Sequence, residues 1–148
     1  MFSRIYVEIT NICNMNCSFC HGHSREFKQL TTEEFEVVLD KISGFTNYIY
    51  YHLMGEPLTH PDLCQFITTA TTQGFRSVIT TNGTLLPKKQ ELLLSSPGLH
   101  KVNISLHAFE ANDLSVPFDR YLEDCLAFGQ AAAGKKIVVY RLWNQGGA

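Results

Sequence analysis

Residues 4–10 alternate Ile5, Val7 and Ile9 with Tyr6, Glu8 and Thr10, the period of a strand with one buried face. A cysteine-rich loop follows. Thr31 with Glu34 three residues later forms a capping box, and Phe35, Val38, Leu39 and Ile42 fall at i, i+3, i+4 and i+7, so a helix opens at Thr31 and stops at Gly44. Residues 47–54 (NYIYYHLM) read as a second, largely apolar strand ending in Gly55-Glu56-Pro57. A second helix starts near Pro61 and carries Leu63, Phe66, Ile67 and Ala70, with Gly74 as its end. Residues 75–81 predict a third strand closing on Asn82-Gly83, and Pro87 to Leu94 a short leucine-rich helix. A fourth strand over 100–107, a helix over about 118–133 and a fifth strand over 136–142 complete the pattern.

Strands and helices in strict alternation, with crossovers of this length, predict βαβ units and a parallel sheet. No repeat, linker or low-complexity stretch divides the chain, so 1–148 reads as one domain. The unusual residues gather just after the strands: the cysteines, then GEP, then TNG, then Ser105 and His107, then Arg141. In barrel-like α/β folds that carboxyl-end rim is where active sites are built.

Composition narrows the function. The chain has 148 residues, 45% hydrophobic and 18% charged, enough for an apolar core and unlike a disordered segment. Twelve basic against 14 acidic side chains leave a formal charge of −2, which gives no footprint for nucleic acid or an anionic membrane. No apolar run approaches the roughly 20 residues of a membrane span, and Glu8 interrupts any signal-peptide core. A soluble, cytoplasmic domain is expected.

Of five cysteines, Cys64 and Cys125 stand alone on predicted helices and read as core thiols, whereas Cys13, Cys17 and Cys20 crowd one loop. C-x3-C-x2-C lets that loop wrap three thiolates around one metal centre. Two centres fit this spacing. A structural zinc needs four ligands, and His21 or His23 could complete a Cys3His set in a non-catalytic module. A four-iron cluster takes one thiolate per iron, so three cysteines leave one iron open.

Thr10-Asn11-Ile12-Cys13-Asn14-Met15-Asn16-Cys17-Ser18-Phe19-Cys20 resembles the signature of the radical S-adenosylmethionine (SAM) enzymes, in which C-x3-C-x2-C with an aromatic before the last cysteine follows the first strand of a partial (βα)6 barrel. Gly55-Glu56-Pro57 resembles that family's GGEP motif, with Met54 in place of the first glycine; Thr81-Asn82-Gly83 and Ser105 resemble its strand-three and strand-four positions. The resemblance implies an α/β fold holding about five of the six βα units, a [4Fe–4S] cluster on Cys13, Cys17 and Cys20, and SAM chelating the open iron. It implies reductive cleavage of SAM to methionine and a 5′-deoxyadenosyl radical that abstracts hydrogen from a substrate. Phe19 would sit near the adenine, Gly55 and Glu56 would hold the SAM amino group, and Asn82 and Ser105 would complete the cofactor contacts. Arg141 would meet the SAM carboxylate, and His107 would face the substrate as donor or acid–base group.

Other polar residues have simpler readings. Asn103 reads as a cofactor contact or an internally satisfied side chain, Tyr50 and His52 as packing on the face that carries Met54, and His60 as helix-start chemistry. The chain is shorter than even a six-unit core, so a fragment of a longer enzyme is expected, with an uncovered final strand prone to self-association. The substrate is expected to be a peptide, protein or small molecule, and the reductant a ferredoxin or flavodoxin.

Overall fold

In the computed structural model, which describes residues 1–21, 24–112 and 114–143, five parallel strands hydrogen-bond in the order of the sequence. They are β1 (Ile5–Tyr6), β2 (Tyr48–Tyr51), β3 (Arg76–Thr81), β4 (Leu99–Ser105) and β5 (Ile137–Arg141). Four helices form the crossovers: α1 (Thr32–Ile42), α2 (Leu63–Thr72), α3 (Leu86–Ser95) and α4 (Phe118–Ala132). The α/β architecture and every predicted element are present.

The helices cover one sheet face. Ile49, Tyr51, Ile79, Val102 and Ile104 alternate onto that face and bury with Phe35, Leu39, Phe66, Ile67, Leu93 and Phe128 into one core. Phe35 stacks on Phe66 at 4.3 Å between ring centroids. The hydroxyl of Tyr51, fully buried, lies 3.0 Å from that of Ser77, so this polar atom is not stranded in the core. The register sets the opposite face in rows across the sheet: Tyr50, Val78, Lys101 and Ile137, then Thr80, Asn103 and Val139, then Ser105 and Arg141.

Three expectations change. β1 is much shorter than 4–10 because its second half turns to another partner: Leu30 N donates to Ile9 O and Thr10 bridges Gln29 antiparallel, tying the chain to the segment that returns from the cysteine loop. β4 ends at Ser105, and His107 lies in a 3-10 turn over Leu106–Ala108. Cys64 is exposed on the solvent side of α2, whereas Cys125 is buried as predicted. Asn103 donates to Thr80 Oγ1 and Ile79 O, the internally satisfied alternative.

β5 is not bare. Tyr140 reaches from it to α4, donating to Cys125 O at 3.1 Å, and its hydroxyl occupies the space where a Cβ on Gly129 would stand.

Candidate functional site

At the carboxyl ends of the strands a cavity of about 300 Å³ opens. Cys13, Cys17, Cys20, Phe19, Gly55, Glu56, Asn82, Ser105, His107 and Arg141 all line it. Every residue proposed from the sequence is therefore in one place, together with His52, Met54 and Trp143.

The cysteine loop is held at its root and on both flanks. Asn11 closes the root, with Nδ2 donating to Glu26 O and Oδ1 accepting from Lys28 N. On one flank Asn14 accepts from Asn82 Nδ2 at 2.9 Å, and that same amide stands 4.0 Å from Cys13 Sγ. On the other, Asn112 accepts from Asn16 N at 2.8 Å while its Nδ2 donates to Cys17 Sγ at 3.1 Å. Ser18 N donates to Ala111 O, so the loop leans on the segment after β4. Burial pushes the Cys13 thiol above its ordinary pKa; the Met15 amide opposes this, and negative charge at Glu56 and Cys17 adds to it.

This donor set fits an iron–sulfur cluster. Among the described residues no three His, Cys, Asp or Glu side chains converge on one ion. A four-iron cluster needs no such convergence, since each thiolate binds a different iron. Amide N–H groups directed at cluster sulfurs are an ordinary way of stabilising their negative charge. Of the histidines in the zinc alternative, His21 is exposed and His23 lies outside the described residues.

The GEP turn is bolted to the root of that loop. Glu56 N donates to Ile12 O at 2.8 Å. Gly55 has φ +79°, and a Cβ there would stand 2.4 Å from Thr10 O. Its lack of a side chain thus admits the neighbouring backbone. Glu56 is 2% exposed, and its two carboxylate oxygens accept from Leu58 N at 3.0 Å and Asn82 N at 2.7 Å. It joins the exits of β2 and β3. Burial pushes its pKa up to about 7 against the opposing pull of the Asn82 and Leu58 amides and the Thr81 side chain. Asn82 is held from every side: its Oδ1 accepts from Thr84 N and its carbonyl from the Tyr121 hydroxyl at 2.7 Å.

The far wall is aromatic. His107 stacks on Trp143 at 4.1 Å and 6°, and Phe19 packs against both, at 5.3 and 4.7 Å. The His107 Nδ1 lies 3.3 Å from Arg141 O, which ties the turn after β4 to the end of β5. Arg141 pairs in register with Ser105, and its charge, after burial, helps to lower the His52 pKa.

Two residues of this site escaped the sequence reading. Trp143 continues the alternation of Val139 and Arg141 and could have been found by extending it; Asn112 sits in an irregular segment with no periodicity to follow.

A family model described as the radical SAM superfamily matches residues 7–125. Fe-coproporphyrin III synthase of Methanosarcina barkeri is 32% identical over 109 residues, covering 71% of this chain and 27% of that protein. The crystal structure of BtrN in complex with AdoMet and 2-DOIA superposes with a TM-score of 0.69 at 25% identity, over 95% of this chain and 57% of that one. Streptococcus suis SuiB bound to precursor peptide SuiA shares the fold, with a TM-score of 0.70 at 21% identity over 97% of this chain and 34% of SuiB. The chain thus spans between about a quarter and somewhat over half of the proteins it matches. With the motif residues gathered in one cavity and the family match running from just after β1 into α4, the chain belongs to the radical SAM superfamily.

Proposed function

We propose that this chain carries the SAM-cleaving centre of a radical SAM enzyme, in which a substrate, peptide or small molecule, loses a hydrogen atom to the radical made from SAM. The observation that supports this most is that three thiols on one loop face four decorated strand exits across a single cavity. When bound, a four-iron cluster supplies the electron that cleaves the SAM sulfonium. Cys13, Cys17 and Cys20 would hold it, with the Asn112 amide, and the more distant Asn82 amide, steadying their sulfurs.

The remaining residues bind and orient. Glu56, buried with a raised pKa, gains from a cation beside it, and the SAM ammonium supplies one. Arg141 suits the SAM carboxylate, since a guanidinium presents a planar pair of donors. Ser105 beside it in register, and Asn82, complete the polar wall. Phe19 offers a ring face to the adenine. His107 is held by its stack on Trp143 and by its Arg141 carbonyl contact, which fixes one ring edge and leaves the other for a substrate. A ferredoxin or flavodoxin in the cytoplasm would supply the electron. Among the described residues no helix is long and apolar enough to cross a membrane.

The test is product formation. The anaerobically reconstituted chain, given dithionite and SAM, is expected to release methionine and 5′-deoxyadenosine, measured by liquid chromatography and mass spectrometry. Cys13→Ser, Cys17→Ser and Cys20→Ser should each abolish both products. Unchanged product in those variants would refute the proposal.

A further inference from the structure

The opposite end of the sheet carries chemistry that SAM cleavage does not use. There, where β3, β4 and β5 begin, a hollow of about 440 Å³ is lined by Arg76, His100, Lys135 and Lys136 with the backbone around Gly98 and Gly134. No aspartate or glutamate lines it. Ion pairs among the described residues are Arg25–Glu8, Lys28–Glu34 and Arg120–Asp124, and none neutralises a cation of the hollow.

The positive groups are set in place. Arg76 donates to the Tyr48 hydroxyl at 3.1 Å and its guanidinium lies over the Tyr48 ring, 5.8 Å from the centroid, within reach of a cation–π contact. His100 meets the edge of the same ring at 5.4 Å. A bulge at Ser77/Val78 puts Ser77 opposite Leu99 and Val78 opposite Lys101, so His100 is the unpaired residue of β4. Lys136 donates to Ser96 O, which anchors its ammonium at the wall, and Lys135 is exposed beside it. The crowding of charge is felt at His100: burial lowers its pKa first, and Arg76, Lys101 and Lys136 lower it further.

Like charges gathered round a concavity repel one another, and in a chain of net charge −2 they are not the by-product of a basic composition. A bound polyanion removes the repulsion. The hollow's size is that of a small-molecule pocket, and a guanidinium with two ammonium groups exceeds what one carboxylate neutralises. We infer that this hollow is a second binding site, separate from the SAM cavity, for a small molecule bearing a polyphosphate group.

The probe is pyrophosphate, titrated calorimetrically into the full chain without divalent metal at a constant ionic strength of about 0.15 M, so that general screening is held fixed. Saturable one-to-one binding is expected. Replacing Arg76→Gln with Lys135→Gln together should weaken it at least about tenfold, because two charge-assisted contacts are lost. Lys88→Gln, an exposed lysine on α3, should not. Circular dichroism and thermal melting confirm that each variant is folded. A parallel titration with ATP separates sources: tighter binding than pyrophosphate assigns a nucleoside polyphosphate, equal binding a free one. Binding should persist when Cys13, Cys17 and Cys20 are all serine, so loss of the cluster and failure of this site read out separately. No saturable binding, equal weakening by Lys88→Gln, or disappearance in the triple serine variant would overturn the inference.

Discussion

Glu56 is the residue on which the site's architecture turns, because its two carboxylate oxygens join the exits of β2 and β3 through backbone amides. Its pKa of about 7 sets a pH dependence whose sign can be worked out. Between the ordinary carboxylate range and about 7 the unfolded chain has lost this proton and the folded chain keeps it. The stability from this group is therefore complete at low pH and falls as pH rises toward 7. Thermal melts of the cluster-free chain from about pH 5 to 7.5 should show that decline, and Glu56→Gln should remove it, because glutamine does not titrate. Identical pH slopes in the two proteins would contradict the assignment. Gly55 poses the steric counterpart. With φ +79° and Thr10 O in the way, Gly55→Ala should destabilise the chain by about 3 kcal/mol in urea unfolding, from a strained backbone and overpacking together. GEP is legible as a motif, but one reason for its glycine is not: the close approach of the Thr10 and Ile12 carbonyls comes from a segment distant in sequence. Contacts between segments far apart in sequence, such as Asn112 with Cys17, leave no periodic trace at all.

At the scale of elements, local chemistry was the better guide. The capping box is present in full: Glu34 N donates to Thr31 Oγ1 at 3.1 Å and Thr31 N to Glu34 Oε2 at 3.0 Å. Thr31→Ala should cost about 1 kcal/mol in the same urea assay, the usual value of a lost N-cap, with cluster assembly unaffected. A cost near zero would mean that packing of Phe35 and Leu39 alone holds the helix. Strands were read less accurately at their ends, for a physical reason. Alternation reports which face is buried, but not which partner a backbone pairs with: Val7 N still donates to Tyr50 O of β2, whereas Ile9 and Thr10 keep the strand period but pair with the segment around Lys28–Leu30. Ser105 and His107 share a period that β4 itself does not sustain, since the chain turns at Leu106. β5 is the last strand of the sheet among the described residues, and Tyr140 gives it a grip on α4 that a pattern of strands and helices could not reveal.

Across the whole molecule, chemistry divides between the two ends of the sheet. The strand exits carry thiols, amides, one buried carboxylate and an aromatic wall; the starts of β3, β4 and β5 carry a hollow whose described lining holds cations and no aspartate or glutamate. Placing reactive groups at strand exits follows from the fold, because loops there are free to vary while the strands hold them in register. Under the proposed function, the exit cavity would hold a four-iron cluster with one iron open to SAM. Electron paramagnetic resonance on the anaerobically reconstituted and reduced chain tests it most directly, recorded with and without SAM. A four-iron signal that shifts on addition of SAM is expected. A chain that assembles no cluster and instead retains zinc on the same cysteines would contradict it.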